Sequence, residues 1–304
     1  MQQERRRAGA RIGELADRES DPAIDLHVPA RLRHTAPMVE TFRSPLASDA
    51  HEGRIAVITG GGTGIGRATA REFVRTGARV AICGRRPEPL AVVQEELGDA
   101  CLSMPCDVRD PEQLASFLDA VDERYGRVDV LVNNAGGQFP APLEQTPLKG
   151  MRAVHRLNVD AVWDLTQRVA NRWMIPQRSG FVAFLGFSPR RGVPLMVHSS
   201  MARSALETFA AGIALEWSRY GIRAVCVSCG LIRTEGTLGY GGEELLAHYE
   251  TQVPMKRAGS ADEVAATIAF LASAGGTYIT GTTVVIDGGT DAWGLGEVPP
   301  DLEP

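Results

Sequence analysis

The sequence predicts an α/β protein, a single three-layer α/β/α sandwich around a parallel sheet of about seven strands. Three observations lead there. Short apolar runs alternate with longer helical patterns from Arg54 onward. The first apolar run is followed directly by a cluster of glycines and then by a helical pattern. A chain of 304 residues that is 44% hydrophobic and 23% charged can bury a full core without disulfides or metals.

Taken in order, the strand candidates are Arg54–Thr59, Arg79–Cys83, Cys101–Cys106, Val128–Val132, Gly180–Leu185, Arg223–Val227 and Thr282–Ile286. Ile55-Ala56-Val57-Ile58 is apolar without interruption, as a parallel strand covered on both faces must be. Helical patterns fill the intervals at Gly64–Thr76, Pro87–Leu97, Pro111–Tyr125, Met151–Met174, Val197–Tyr220 and Ala261–Ala272. Such alternation implies right-handed crossovers between parallel strands. The stretch Gly236–Glu250 reads as a mobile segment. Residues 1–50 are rich in Arg, Asp and Glu, and carry Pro22, Pro29, Pro37 and Pro45. They are expected to form a flexible N-terminal extension, with Met38 as an alternative start, ahead of a folded domain over residues 51–304.

The net charge of −5 offers no basic footprint for nucleic acid or anionic lipid. Five cysteines, an odd number, without an apolar N-terminal segment, predict a reducing, cytoplasmic setting. No apolar run approaches the roughly 18 residues of a membrane span. Cys226-x-x-Cys229 runs off a strand end and has no second pair to complete a metal site, so packing is expected of it.

After the first strand comes Thr59-Gly60-Gly61-Gly62-Thr63-Gly64-Ile65-Gly66. Glycines there let the backbone turn sharply and approach a diphosphate, while the following helix presents free N–H groups to the anion. A Rossmann-type dinucleotide site follows, with Gly60, Thr63, Gly64, Ile65 and Gly66 as its cradle. At the end of the second strand an acidic residue would hold the ribose 2′-hydroxyl of NAD. Here Gly84 is followed by Arg85 and Arg86, a charge pattern that suits a 2′-phosphate and predicts NADPH.

The spacing Gly60-x-x-x-Gly64-x-Gly66 resembles that of the short-chain dehydrogenase/reductase family, and the likeness extends from Arg54 to Gly289. Asn133-Asn134-Ala135-Gly136 is similar to a motif that follows the family's fourth strand. Asp107-Val108 stands where the family contacts adenine, Cys229-Gly230 where it has Pro-Gly, and Asp287-Gly288-Gly289 closes the last strand. The resemblance implies cofactor contacts from Asp107, Val108, Asn134, Ala135, Gly136, Ile232 and Thr234. It also implies a homotetramer, assembled through the helices at Met151–Met174 and Val197–Tyr220.

The family's catalytic Tyr-x-x-x-Lys falls at Ser199-Ser200-Met201-Ala202-Arg203. Serine is a far weaker acid than a phenol of pKa near 10, and arginine does not relay protons. Ordinary carbonyl reduction is therefore disfavoured. The segments Asn133–Phe139 and Pro194–Arg203 resemble those of peroxisomal trans-2-enoyl-CoA reductases and, more distantly, 2,4-dienoyl-CoA reductases. That likeness implies reduction of a carbon–carbon double bond beside a thioester, within fatty acid metabolism. The C-terminal Asp-Leu-Glu-Pro matches no peroxisomal address. On this reading Ser199, Ser200 or Gln138 bonds the thioester oxygen, Arg203 holds the nicotinamide ribose, and Asn158 organises a helix kink or water chain. Ser188 is a further substrate candidate, and Tyr240 or Tyr249 would bring a phenol when the loop closes. His198, adjacent to Ser199, is expected to point elsewhere. Two other readings stay open: a carbonyl or alcohol oxidoreductase with a relocated acid, and an NADPH-binding protein without catalysis.

Overall fold

The computed structural model describes residues 42–190, 192–239 and 242–292. Seven parallel strands form one sheet: β1 (Ile55–Thr59), β2 (Arg79–Gly84), β3 (Cys101–Pro105), β4 (Val130–Asn133), β5 (Gly180–Phe187), β6 (Ile222–Cys229) and, last in the chain, β9 (Thr282–Ile286). Their order across the sheet is β3-β2-β1-β4-β5-β6-β9. The chain therefore winds outward in two directions from β1 and β4, and the crevice beyond the carboxyl ends of those strands is where such sheets bind ligands.

Sequence parity explains the three layers. Val57, Ala81, Leu131, Val182, Phe184 and Cys226 face one core, while Ala56, Ile58, Val80, Ile82, Val130, Val132, Ala183 and Val225 face the other. Helices α1 (Gly64–Arg75) and α9 (Ala261–Ala272) cover the second face; α3 (Pro111–Tyr125), α5 (Ala161–Val169) and α6 (Val197–Trp217) cover the first. Helix α2 (Pro87–Leu97) packs its Leu90 and Val93 into the second face as well. Each fully buried aromatic such as Phe73, Phe117 or Phe184 contributes about 1.5–3 kcal/mol.

Two regions differ from the sequence expectation. The helix read as Met151–Met174 begins earlier, as α4 (Leu148–His155), and carries wide turns at Arg156–Asp160 and Ala170–Met174 on either side of α5. A local five-residue repeat has no signature in apolar periodicity. The stretch read as mobile, Gly236–Glu250, is largely helical: α7 (Glu235–Leu238) and α8 (Gly242–Gln252) follow a two-residue strand, β7 (Ile232–Arg233), paired with β8 (Gly259–Ser260). Thr234 and Thr237 form a reciprocal cap at the start of α7, and Arg233 pairs with Glu243 at 2.7 Å and Glu250 at 3.1 Å. Together they brace this segment as a flap.

Residues 42–54, ahead of β1, are fastened to the domain. Ser44 donates to Glu72 at 2.5 Å, and His51 is buried with its ring nitrogens on Thr76 Oγ1 (2.8 Å) and the Ala269 carbonyl (3.1 Å). Residues on both sides of the boundary expected at position 50 thus contact the fold. Burial, reinforced by the Arg54 charge, lowers the His51 pKa from 6.5 to about 4. The folded state favours the neutral ring, so this contribution is present above pH 6.5 and lost as pH falls toward 4. Urea titrations should show stability at pH 5 lower than at pH 7 by about 2 kcal/mol from this group. His51→Gln should remove that component of the pH dependence; an unchanged profile would assign it to other groups.

Candidate active site

The site begins with a lock between two strand ends. Thr59, the last residue of β1, accepts through Oγ1 from the backbone N–H of Asn134 (3.1 Å) and Ala135 (2.9 Å). Asn134, just past β4, returns its side-chain amide to the carbonyls of Thr59 (2.8 Å) and Gly60 (3.2 Å). This fixes the glycine turn tightly against the loop after β4. A Cβ on Gly66 would lie 2.2 Å from the Gly60 carbonyl oxygen, and one on Gly60 would lie 2.8 Å from Asn134 Nδ2. Gly60 and Gly64 have φ of +65° and +50°, the region glycine occupies without strain. Thr63 caps α1 in extended conformation without a side-chain bond to the helix, and Ile65 packs on the core.

At the start of α1, the Gly64 amide donates to the Glu235 carboxylate at 3.2 Å, and Thr234 Cγ2 would lie 3.3 Å from a Cβ on Gly64. The flap therefore rests on the glycine turn. Ile232, buried in β7, anchors it. Nearby, Arg85 and Arg86 are exposed beyond β2. Asp107 lies past β3 with Val108 buried behind it; the bond from Arg109 Nε (2.9 Å) holds the Asp107 carboxyl below its usual range, with Arg85 adding to the field.

The second half of the site joins the loop after β4 to α6. Asn158, fully buried in the wide turn Arg156–Asp160, donates through Nδ2 to the Gly137 and Val154 carbonyls, both at 2.9 Å, and accepts from the Gly137 N–H at 3.3 Å. Arg203 lies over Gly136, where a Cβ would meet its Nη2 at 2.0 Å, and donates to the Leu185 carbonyl. Ser199 is buried, and its hydroxyl donates to Gln138 Oε1 at 2.7 Å. The structure thus brings Asn158, Arg203, Ser199 and Gln138 together around the carboxyl ends of β4 and β5.

Other candidates fall elsewhere. Ser188 is buried and donates to Asp287, so its hydroxyl ties the β5 loop to the segment after β9. Ser200 Oγ is buried without a hydrogen-bond partner among the described residues. Tyr240 lies outside the described residues, and Tyr249 is half exposed on α8. Burial pushes the Cys226 and Cys229 thiols up to about 12, which leaves them protonated and unreactive. Thr59, Glu235 and Asp287 were not legible as site residues, because each acts through a partner distant in sequence. Among the described residues there is no cluster fit to hold a metal, and no helix is long and apolar enough to cross a membrane.

A family model described as Enoyl-(Acyl carrier protein) reductase matches residues 60–291. The chain belongs to the short-chain dehydrogenase/reductase family. It is 32% identical over 250 residues to the peroxisomal 2,4-dienoyl-CoA reductase [(3E)-enoyl-CoA-producing] of Danio rerio, covering 79% of this chain and 81% of that one. It is 30% identical over 247 residues to the probable 2,4-dienoyl-CoA reductase [(2E)-enoyl-CoA-producing] of Bacillus subtilis (strain 168), covering 78% and 96%. Among solved structures it resembles the citronellol catabolism dehydrogenase of Pseudomonas aeruginosa PAO1, with a TM-score of 0.73, 34% identity, and coverage of 82% and 100%. The protein is an oxidoreductase similar to the enoyl- and dienoyl-CoA reductases. Membership implies a nicotinamide cofactor, and the residues present fit one: the cradle excludes a Cβ at Gly60 and Gly66, and α1 opens on an amide directed at an anion.

Two outcomes are expected from fluorescence titrations with NADPH and NADH. Gly66→Ala should abolish binding of both, because the added methyl collides with backbone. Glu235→Gln should tighten both by about two- to fivefold, since it removes a charge that competes for the helix start. Equal affinities for Glu235→Gln and the parent would separate Glu235 from the cofactor site.

Proposed function

We propose that this protein reduces a carbon–carbon double bond conjugated to an acyl thioester, with unsaturated acyl-CoA as its substrate class and NADPH as its reductant. The observation that carries this reading is the buried Ser199–Gln138 pair beside Arg203, standing where the family's carbonyl reductases place a phenol and an ammonium group. When bound, the nicotinamide supplies hydride to the substrate carbon. Negative charge then gathers on the thioester oxygen, which needs hydrogen-bond donors more than it needs a strong acid. Rotating the Gln138 amide by half a turn makes Nε2 the donor to Ser199 and turns the Ser199 hydrogen toward substrate. Arg203 offers fixed donors to ribose hydroxyls, and Asn158 holds the loop beneath them. The names of the relatives support 2,4-dienoyl thioesters beside trans-2-enoyl thioesters within this class.

Arg85 and Arg86, with no acidic residue at Gly84, support the preference for NADPH. The half-exposed Trp163 on α5 and Leu148 on α4 support a homotetramer joined through these helices. Five free, buried cysteines fit a reducing, cytoplasmic address.

The decisive assay is loss of NADPH absorbance with trans-2-enoyl-CoA and 2,4-dienoyl-CoA thioesters, set beside simple ketones and aldehydes. Turnover confined to the thioesters is expected; turnover of carbonyls would overturn the reading. The double variant Arg85→Ala/Arg86→Ala should weaken NADPH by about tenfold or more and leave NADH nearly unchanged. Equal loss for both cofactors would refute the 2′-phosphate role.

A further inference from the structure

The candidate active site lies at the carboxyl ends of the strands. At their amino ends the fold leaves an open cavity of about 950 Å³. Strands β5 and β6 are eight residues long, so about 25 Å of sheet separates the two places. The residues that lead into β1, β4, β5 and β6 wall the cavity, together with the turn before β9. Its volume is that of a small-molecule site, but its lining is polar and basic.

Three arginines line it: Arg54, just before β1; Arg127, ahead of β4; and Arg223, the second residue of β6. Two carboxylates stand among them. Asp129 is buried and committed, accepting from Arg127 at 2.5 and 3.1 Å and from the Ile55 N–H at 2.9 Å. Glu52 is exposed. Arg54 and Arg223 therefore have no carboxylate partner among the described residues. Each spends one nitrogen on backbone. Arg54 Nη1 donates to the Ala272 carbonyl at the end of α9 (2.6 Å), and Arg223 Nη1 to the carbonyls of Gly276 (2.7 Å) and Ile279 (3.1 Å). Their Nε and Nη2 groups make no hydrogen bond among the described residues.

Arg223 also stacks over the Phe181 ring, 4.7 Å from its centroid. Its planar fork is thus fixed before any ligand arrives, which lowers the ordering cost of binding. Burial and the field of Arg54 hold the Arg223 pKa below its usual value. Two half-buried cations that repel one another are costly, and the backbone carbonyls offset only part of that cost. An anion between them would supply the rest. The same wall carries Ser179 and Ser218, both exposed, whose hydroxyls bond nothing else among the described residues. It also carries Tyr278, whose ring is fully exposed.

We propose that this cavity is a second anion site, which takes the phosphate groups of a small molecule between Arg54 and Arg223. Guanidinium groups match phosphate oxygens through paired, charge-assisted hydrogen bonds. The two serines add neutral donors, and the Tyr278 ring offers a flat apolar face to a base carried on the phosphates. A nucleoside diphosphate is the class that uses all of these features, with pyrophosphate as its minimal form. The site is separate from the glycine turn and independent of the thioester-reductase reading.

The test is calorimetric titration of the full chain with inorganic pyrophosphate and with ADP, at saturating nicotinamide cofactor so that the glycine turn is already taken. One molecule per chain should bind at submillimolar concentration, more weakly as salt is raised. Ser179→Glu/Ser218→Glu places two negative charges on the exposed wall and removes no bond that the fold uses. It should weaken both probes by about tenfold or more. Arg54→Gln/Arg223→Gln should do the same. ADP binding tighter than pyrophosphate, with the advantage lost in Tyr278→Ala, would assign the base to that ring; equal affinities would assign the phosphates alone. Absence of saturable binding to the parent, or an affinity in Ser179→Glu/Ser218→Glu within about threefold of the parent, would overturn the proposal.

Discussion

The lock between Thr59 and Asn134 is the constraint on which both halves of the site depend. One hydroxyl accepts two amides of the β4 loop, and one carboxamide donates to two carbonyls of the glycine turn. All four bonds cross between β1 and β4, the strands at which the sheet reverses its winding. Without them the turn that cradles a diphosphate and the loop that carries Gly136 to Gln138 would move independently. With them, the glycine turn and the loop from Gly136 to Gln138 are held at a fixed separation.

A second set of contacts carries that rigidity to the chemistry. Asn158 accepts from and donates to Gly137 while it satisfies the carbonyl of Val154, a group that the wide turn leaves open. The irregular helix is thus part of the support for the loop. Arg203 closes the arrangement from the other side by bonding the end of β5 above Gly136. Aspartate or lysine at these positions would alter charge and reach alike, so amide and guanidinium are used for shape as much as for charge.

How much of this was legible in the sequence follows from range. All seven strands of the sheet were readable, the five inner ones because burial on both faces leaves a local apolar signature and the half-buried edge strands β3 and β9 from their place in the strand–helix alternation, and Pro87–Leu97, Pro111–Tyr125 and Ala261–Ala272 matched as helices to the residue. The glycine turn was readable because its requirement is also local. The flap was not: its helices are short and polar, and ion pairs from Arg233 hold it instead of an apolar stripe. Glu235 meets Gly64 across 171 positions, and no spacing rule spans that. The Ser199–Gln138 bond, 61 positions apart, shows a subtler limit. Both residues were recognisable as donors, yet each occupies the other, and the direction of that bond decides what either can offer.

The contact of Glu235 with the start of α1 bears on cofactor entry. A dinucleotide phosphate that took the Gly64 amide would displace the Glu235 carboxylate, while the cap between Thr234 and Thr237 needs no part of that side chain. Nucleotide and flap would thus compete for a single backbone donor, and the charge at position 235 would set how firmly the empty glycine turn is held.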